Sequence, residues 1–199
     1  MSDAWIKKIS RNAAAFKSVP KKLITEEFCL SAVSMNGRAL QFVPQELRTE
    51  AVCLAALELW GDVLEFVPES LKTEAMCLNA VKDCGVALKY VPEALKTEAV
   101  CIAAVQQSGY VMQYVPEALK TEALCFAAVQ KDGLTISSVP EALKTEALCL
   151  AAVKRNGYAL ELVPDALKTE AVCLTAVQSV AEAMDYVPEE LKAKVKAAL

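Results

Sequence analysis

Residues 91–114 read VPEALKTEAVCIAAVQQSGYVMQY, and this stretch contains the pattern that decides the fold. Its proline, glycine and cysteine each recur every 24 residues along the 199-residue chain. All eight prolines and all six glycines keep this spacing, as do seven of the eight cysteines. Internal repetition at such a period is typical of solenoid and propeller proteins. We number positions within the repeat from the valine before each proline, so that Val91 is position 1.

The repeats fill the chain, and no linker or low-complexity stretch separates them. The pattern predicts a single domain over 1–199, with an N-terminal partial repeat at 1–18 and seven full 24-residue repeats over 19–186. Residues 187–199 form a C-terminal partial repeat. We expect this last segment to act as a polar cap, which stacked repeats need at their ends.

One repeat predicts one long helix and shorter helical turns. Threonine at position 7 is a good N-cap, and glycine at position 19 is expected to end the helix as a C′ residue with positive φ. Between them, positions 10, 11, 12, 14, 15 and 18 form a broad, mostly apolar arc, which requires neighbouring helices on several sides. The valine before each proline ends a short second helix, and the proline begins another turn, of α or 3₁₀ type. The predicted fold is an all-α solenoid.

The run Leu-Lys-Thr-Glu-Ala-Val-Cys-Leu-Ala-Ala-Val-x-x-x-Gly-x-Ala-Leu resembles a bacterial family of helical repeats known as domain of unknown function 4116. It corresponds to residues 95–112, which differ from it at Ile102, Val111 and Met112. The 24-residue length is also similar to leucine-rich repeat variants, which alternate α and 3₁₀ helices in a right-handed superhelix. These resemblances imply a helical array, a right-handed superhelix and at most an interaction surface. Neither family supplies a catalytic residue.

Composition narrows the functional classes. The net charge of −4 argues against a nucleic-acid-binding protein, which normally carries a basic face. The longest apolar runs are about seven residues, as in 99–105, whereas a membrane-spanning helix needs roughly 18. The first residues lack the apolar core of a signal peptide, so the expected location is the cytoplasm, with no membrane partner.

The cysteines favour a structural role over a chemical one. Equivalent residues in stacked helices lie about 8–10 Å apart, too far for a disulfide, whose Cα atoms need about 4.4–6.8 Å. The chain has no histidine and no Cys-x-x-Cys motif, so we expect free, buried thiols and neither metal nor cofactor. Cys84 is the exception, because it lies at position 18 and is expected to be partly exposed. Thiol or metal storage stays open as a remote alternative.

Catalysis is not expected either. A chain without histidine lacks the common general base, and no phosphate loop or paired nucleophile and base is present. The recurrent Glu-x-x-Lys-x-Glu pattern, as in Glu93, Lys96 and Glu98, fits either a charged ligand track or a solvated seam of weak ion pairs. We favour the solvated seam.

Variation between repeats identifies a candidate binding surface. Positions 17 and 20, with Trp60 at position 18, change in size and charge while the framework positions hardly change. We expect them to form one stripe, which either binds a protein or peptide or has varied by neutral drift on an unconstrained surface. The alternative is a structural or consensus-engineered array without a specific ligand. The oligomeric state is left open. The candidate binding residues are Met35, Arg38, Leu59, Trp60, Asp62, Asp83, Val86, Gln107, Tyr110, Lys131, Leu134, Arg155, Tyr158, Ser179 and Glu182.

Overall fold

The computed structural model describes residues 2–199 and is helical throughout, with no strand in that range. The chain divides into two compact units, Met1–Gln107 and Ser108–Leu199. The boundary follows the long helix of the fourth full repeat. Single-domain behaviour over 1–199 stays a prediction.

Long helices alternate with 3₁₀ helices in both units. The first unit contains α1 to α5, which are Ser2–Arg11, Glu26–Met35, Glu50–Leu57, Glu74–Asp83 and Glu98–Gln107. Six-residue 3₁₀ helices follow α1 to α4 at Ala13–Ser18, Gly37–Phe42, Gly61–Phe66 and Gly85–Tyr90. Three-residue 3₁₀ turns precede α2 to α5 at Lys21–Leu23, Gln45–Leu47, Glu69–Leu71 and Glu93–Leu95.

The second unit repeats this order. It contains α6 to α9, which are Glu122–Lys131, Glu146–Arg155, Glu170–Ser179 and Glu189–Ala198. Its six-residue 3₁₀ helices are Gly109–Tyr114, Gly133–Ser138, Gly157–Leu162 and Ala181–Tyr186. Its three-residue turns are Glu117–Leu119, Glu141–Leu143 and Asp165–Leu167. Within each unit, successive long helices contact one another and successive six-residue 3₁₀ helices contact one another. This is the helical solenoid of 24-residue repeats that the sequence predicts.

The threonine caps are confirmed. The side-chain oxygen of each position-7 threonine accepts a hydrogen bond from the backbone N–H three residues later, at 3.2–3.5 Å. Three of these threonines also donate to the glutamate at position 8 of the preceding repeat, as Thr169 Oγ1 does to Glu146 Oε1 at 2.7 Å. Where Ala193 replaces the threonine, turn and helix merge into the continuous helix α9.

The prediction for glycine was wrong. Among residues 2–199 no glycine has positive φ. Each position-19 glycine instead begins a six-residue 3₁₀ helix and is buried. At five of the six, an added Cβ would overlap the position-14 carbonyl oxygen of the next repeat; a Cβ on Gly37, for example, would lie 2.5 Å from Ala56 O. Glycine is required by close packing between repeats and not by a left-handed helix end.

The core lies between the long helices and the 3₁₀ helices. Positions 10, 11, 14 and 15 are buried in nearly every full repeat, as are positions 1 and 22. Position 12 was predicted to belong to the same apolar arc, but its side chains are half-buried or exposed, with Leu54 at 40% and Ile102 at 37%. The apolar arc is therefore narrower than the sequence alone indicates.

The solvated-seam interpretation of the lysines was also wrong. Lys72 is 3% exposed, whereas its partner Glu69 is 72% exposed, and their Nζ and Oε1 atoms lie 2.6 Å apart. Lys72 Nζ also donates to the carbonyl oxygen of Tyr90 at 2.7 Å, in the next repeat. Arg48, at the same repeat position, donates to Phe66 O at 2.8 Å. These cations hold the C-terminal ends of the neighbouring 3₁₀ helices, where a positive charge is favourable.

Candidate functional site

The predicted stripe is on the surface. Of the 15 candidate residues, 14 are exposed and Asp62 is half-buried. They lie at the ends of the long helices and at the first turns of the six-residue 3₁₀ helices. Seven carry large exposed apolar side chains, which are Met35, Leu59, Trp60, Val86, Tyr110, Leu134 and Tyr158.

In the first unit, the stripe is organised around Trp60. The guanidinium of Arg38 lies over the Trp60 ring, 4.2 Å from its centroid, and pairs with Asp62 Oδ2 at 3.2 Å. Asp62 Oδ1 is buried and accepts no hydrogen bond from the described part of the chain. The cation–π contact and the ion pair hold Arg38 across two repeats, so this part of the stripe is ordered before any partner arrives.

Asp83 has a structural contact in addition to its place in the stripe. Its Oδ2 accepts a hydrogen bond from the backbone N–H of Gly61 at 2.7 Å. Gly61 begins the 3₁₀ helix of the preceding repeat, where an N–H has no partner within the helix. Asp83 therefore helps to join two repeats.

In the second unit, position 20 forms an apolar row of Tyr110, Leu134 and Tyr158, which are 58%, 40% and 43% exposed. The half-buried Asp132 and Asn156 fix the backbone beneath this row, because their side chains accept hydrogen bonds from the N–H groups of Leu134 and Tyr158. The row is carried by three 3₁₀ helices that contact one another in series.

The cations at position 17 of this unit lie beside each other. Arg155 Nε donates to the carbonyl oxygen of Lys131 at 3.2 Å, one repeat earlier. Ser179 and Glu182 continue the stripe in the last full repeat, and both are exposed. The structure thus brings equivalent stripe residues of successive repeats together within the second unit.

The sequence analysis missed position 23. Side chains three apart in a 3₁₀ helix lie above one another, so position 23 shares a face with position 20. All of these residues are exposed, and they are Gln41, Glu65, Lys89, Gln113, Ser137, Glu161 and Asp185. The signal was present in the sequence, because these residues also vary in charge between repeats.

Two clefts connect positions 20 and 23. In the first unit, a cleft of about 320 Å³ is lined by residues that include Arg38, Glu65, Cys84 and Val86. In the second unit, a cleft of about 300 Å³ lies between Tyr110, Gln113, Leu134 and Ser137. The size of each cleft suits an individual side chain of a partner.

The thiols are poorly suited to chemistry. All eight are free, and the seven at position 11 are buried. Burial raises the pKa of Cys29 and of Cys53 to about 11. It also raises the pKa of the other five thiols at position 11. Cys84 is half-buried at the cleft of the first unit.

Neither a metal centre nor a membrane span is found in the part of the chain that the structure covers. Residues 2–199 contain no group of three or more cysteine, aspartate and glutamate side chains arranged to hold a metal ion. No helix in the same range combines the length and apolar character needed to cross a bilayer.

Comparison with known families matches the repeats directly. The model of the family described as Domain of unknown function (DUF4116) matches five overlapping segments, at 25–72, 49–96, 74–120, 121–168 and 146–192. The chain belongs to this family. No curated protein and no solved structure gives a significant match.

Proposed function

We propose that this DUF4116 protein is a non-enzymatic scaffold that binds a protein or peptide segment along its variable stripe. The proposal rests on one observation. Seven of the ten large apolar side chains exposed within residues 2–199 belong to the stripe, and six of them lie at position 17 or position 20 in six successive repeats. Single exposed apolar residues are common, but a series of them marks an interaction surface.

The residue types support binding energetically. Tryptophan, tyrosine and arginine are the side chains that most often dominate protein interfaces, and the stripe contains Trp60, Tyr110, Tyr158, Arg38 and Arg155. The Arg38–Trp60 contact and the helix-borne tyrosines are positioned by the fold, which lowers the entropy lost on binding.

The same proposal covers the setting in which the protein works. The family resemblance and the free, buried thiols favour the reducing cytoplasm of a bacterium. The absence of an activated nucleophile, together with the raised thiol pKa values, favours binding over catalysis, without a cofactor. The net charge of −4 favours a protein or peptide partner over nucleic acid.

Site-directed photo-crosslinking in the native host tests the proposal. A photoreactive amino acid at Tyr110 or Tyr158 should capture one protein, and the same residue at the exposed Leu54 or Ile102, on the outer face of the long helices, should not. The captured segment is then measured with purified protein. Tyr110→Ala and Tyr158→Ala should together weaken its binding about tenfold or more. The matched control Leu54→Ala and Ile102→Ala, also exposed apolar residues, should change it less than about twofold.

Equal capture from the stripe and from the outer face would contradict the proposal. Unchanged affinity in the double tyrosine variant would contradict it as well. Both results would favour a structural array without a specific ligand.

A further inference from the structure

The second unit carries three rows of side chains, of which two belong to the stripe and the third occupies position 23. The basic row is Lys131 and Arg155 at position 17, and the apolar row is Tyr110, Leu134 and Tyr158 at position 20. The acidic row is Glu161 and Asp185 at position 23. All seven side chains are exposed.

Within each repeat the apolar position 20 comes between positions 17 and 23 in the sequence. Position 17 is the last turn of a long helix, position 20 the first turn of the following 3₁₀ helix, and position 23 its second turn. Positions 20 and 23 are separated by about 6 Å along the 3₁₀ axis, at about 2 Å per residue. The Arg155–Lys131 hydrogen bond aligns the basic row from repeat to repeat, and the cleft between Tyr110, Gln113, Leu134 and Ser137 joins positions 20 and 23.

Several carboxylates lie on the acidic side of this surface. The pKa of the Tyr186 hydroxyl is raised, chiefly by the charge of Glu161 and also by Asp185. Glu182, at position 20 of the last full repeat, adds a third exposed carboxylate beyond Tyr158. Nearby Asp132 is half-buried and already accepts the N–H of Leu134, so it is less accessible to a partner.

Charge and shape together select the occupant. We propose that the second unit docks an amphipathic α-helix whose apolar stripe is bordered by acidic residues on one side and by basic residues on the other. This inference rests on the proposed function. Its acidic border faces Lys131 and Arg155, its basic border faces Glu161 and Asp185, and its apolar stripe covers Tyr110, Leu134 and Tyr158.

A helix suits this surface better than an extended strand does. Residues 108–199 offer no strand edge with which a partner backbone could pair, so the contacts are made by side chains. A helix satisfies its own backbone hydrogen bonds and presents only side chains. The row from Tyr110 to Tyr158 crosses two repeat spacings, about 16–20 Å at about 8–10 Å each. Roughly 11–13 helical residues cover that length at about 1.5 Å per residue.

Two synthetic peptides of identical composition test the charge arrangement. Both have about 18 residues, a leucine stripe, and equal numbers of glutamate and lysine. In the segregated peptide all glutamates lie along one side of its leucine stripe and all lysines lie along the other side. In the alternating peptide both borders contain both residues. We expect the full-length protein to bind the segregated peptide about three- to tenfold more tightly, with the difference shrinking at high salt.

A charge reversal provides the sharper test. In Lys131→Glu/Arg155→Glu both outer rows are acidic, so the preference for the segregated peptide should disappear. A third peptide with lysine on both borders should then gain affinity for this variant. Lys194→Glu/Lys196→Glu makes the same change in net charge on exposed residues of α9, away from the rows, and should keep the wild-type preference.

The outcomes separate this inference from the proposed function. Equal affinity for the segregated and alternating peptides, with both lost in Tyr158→Ala, would overturn the charge arrangement and leave the apolar stripe intact as a binding surface. Binding that is unchanged in Tyr158→Ala, or no binding of either peptide, would overturn helix docking. The proposed function itself is tested separately, by the crosslinking experiment and the affinity measurement on the captured segment described above.

Discussion

Gly157 shows how strongly single residues are set by the neighbouring repeat. It is buried at the start of a 3₁₀ helix, and a Cβ there would lie 2.5 Å from the carbonyl oxygen of Ala176 and 2.9 Å from the Cβ of Val180. In the last full repeat the same position is Ala181, which is exposed. The glycine is thus required where a long helix packs against it.

Gly157→Ala should destabilise the protein by about 1–3 kcal/mol, because the added methyl forces two backbones apart. A glycine-to-alanine change at a residue without positive φ usually stabilises the folded protein. A decrease in the free energy of unfolding would therefore point to the close packing at this position. Urea unfolding measures the effect. Ala181→Gly is the matched control and should cost no more than about 1 kcal/mol. A stabilised Gly157→Ala protein would contradict the close-packing account.

The buried thiols predict a loss of stability at alkaline pH. Burial raises the folded-state pKa of Cys53 to about 11 from its ordinary value of 9.0, so the folded state holds the proton more tightly than the unfolded state does. Its contribution to stability is complete below pH 9 and declines as the pH rises through 11. Unfolding free energies at pH 8 and pH 10 should therefore differ less in Cys53→Ala than in the wild type. An identical difference in both proteins would show that this thiol does not contribute.

Thiol reactivity gives an independent check. A thiol-specific reagent added to the native protein should modify Cys84 first, because the other seven thiols are buried and protonated. Cys84→Ala should abolish this fast phase. More than two fast-reacting thiols would mean that the position-11 cysteines are not buried in solution.

At the scale of secondary-structure elements, threonine marks the start of helices α2 to α8. Arg48 and Lys72 also bind the ends of the neighbouring 3₁₀ helices. Thr169 caps α8 and also donates to Glu146, whereas Thr145 caps α7. In α9, which has Ala193 in place of threonine, the turn and the helix are continuous. The cap therefore separates the 3₁₀ turn from the long helix.

Thr145→Ala should cost about 1 kcal/mol, the usual value of an N-cap. Thr169→Ala should cost more, because it also removes the hydrogen bond to Glu146. Equilibrium unfolding of both variants provides the comparison. With Glu146→Ala as background, which removes the acceptor, the excess cost of Thr169→Ala should disappear; an undiminished excess would contradict a stabilising link between the repeats.

At a larger scale, successive repeats within each compact unit contact one another, and this arrangement predicts local responses to substitution. In such arrays stability is close to a sum of repeat and interface terms. The two compact units each contain several repeats, so both offer places where this can be measured.

Hydrogen exchange of Gly157→Ala should show the largest loss of protection in α7 and α8, whose residues contact the 3₁₀ helix Gly157–Leu162. Protection should recover with distance along the chain. A uniform loss over residues 2–199 would instead indicate fully cooperative unfolding, as expected of one compact globule.

The sequence alone determined the repeat length, the all-helical class, the threonine caps and the exposed stripe. Each of these features follows from residue types that recur at fixed positions every 24 residues. Only the tertiary structure decided the role of glycine, the burial of Lys72 and the place of position 23 beside position 20. These features depend on which backbone lies across from a residue in the next repeat. The pattern within one repeat indicates which residues are apolar and which suit a turn. The distance from a glycine to the carbonyl oxygen of the next repeat is set only when the repeats stack.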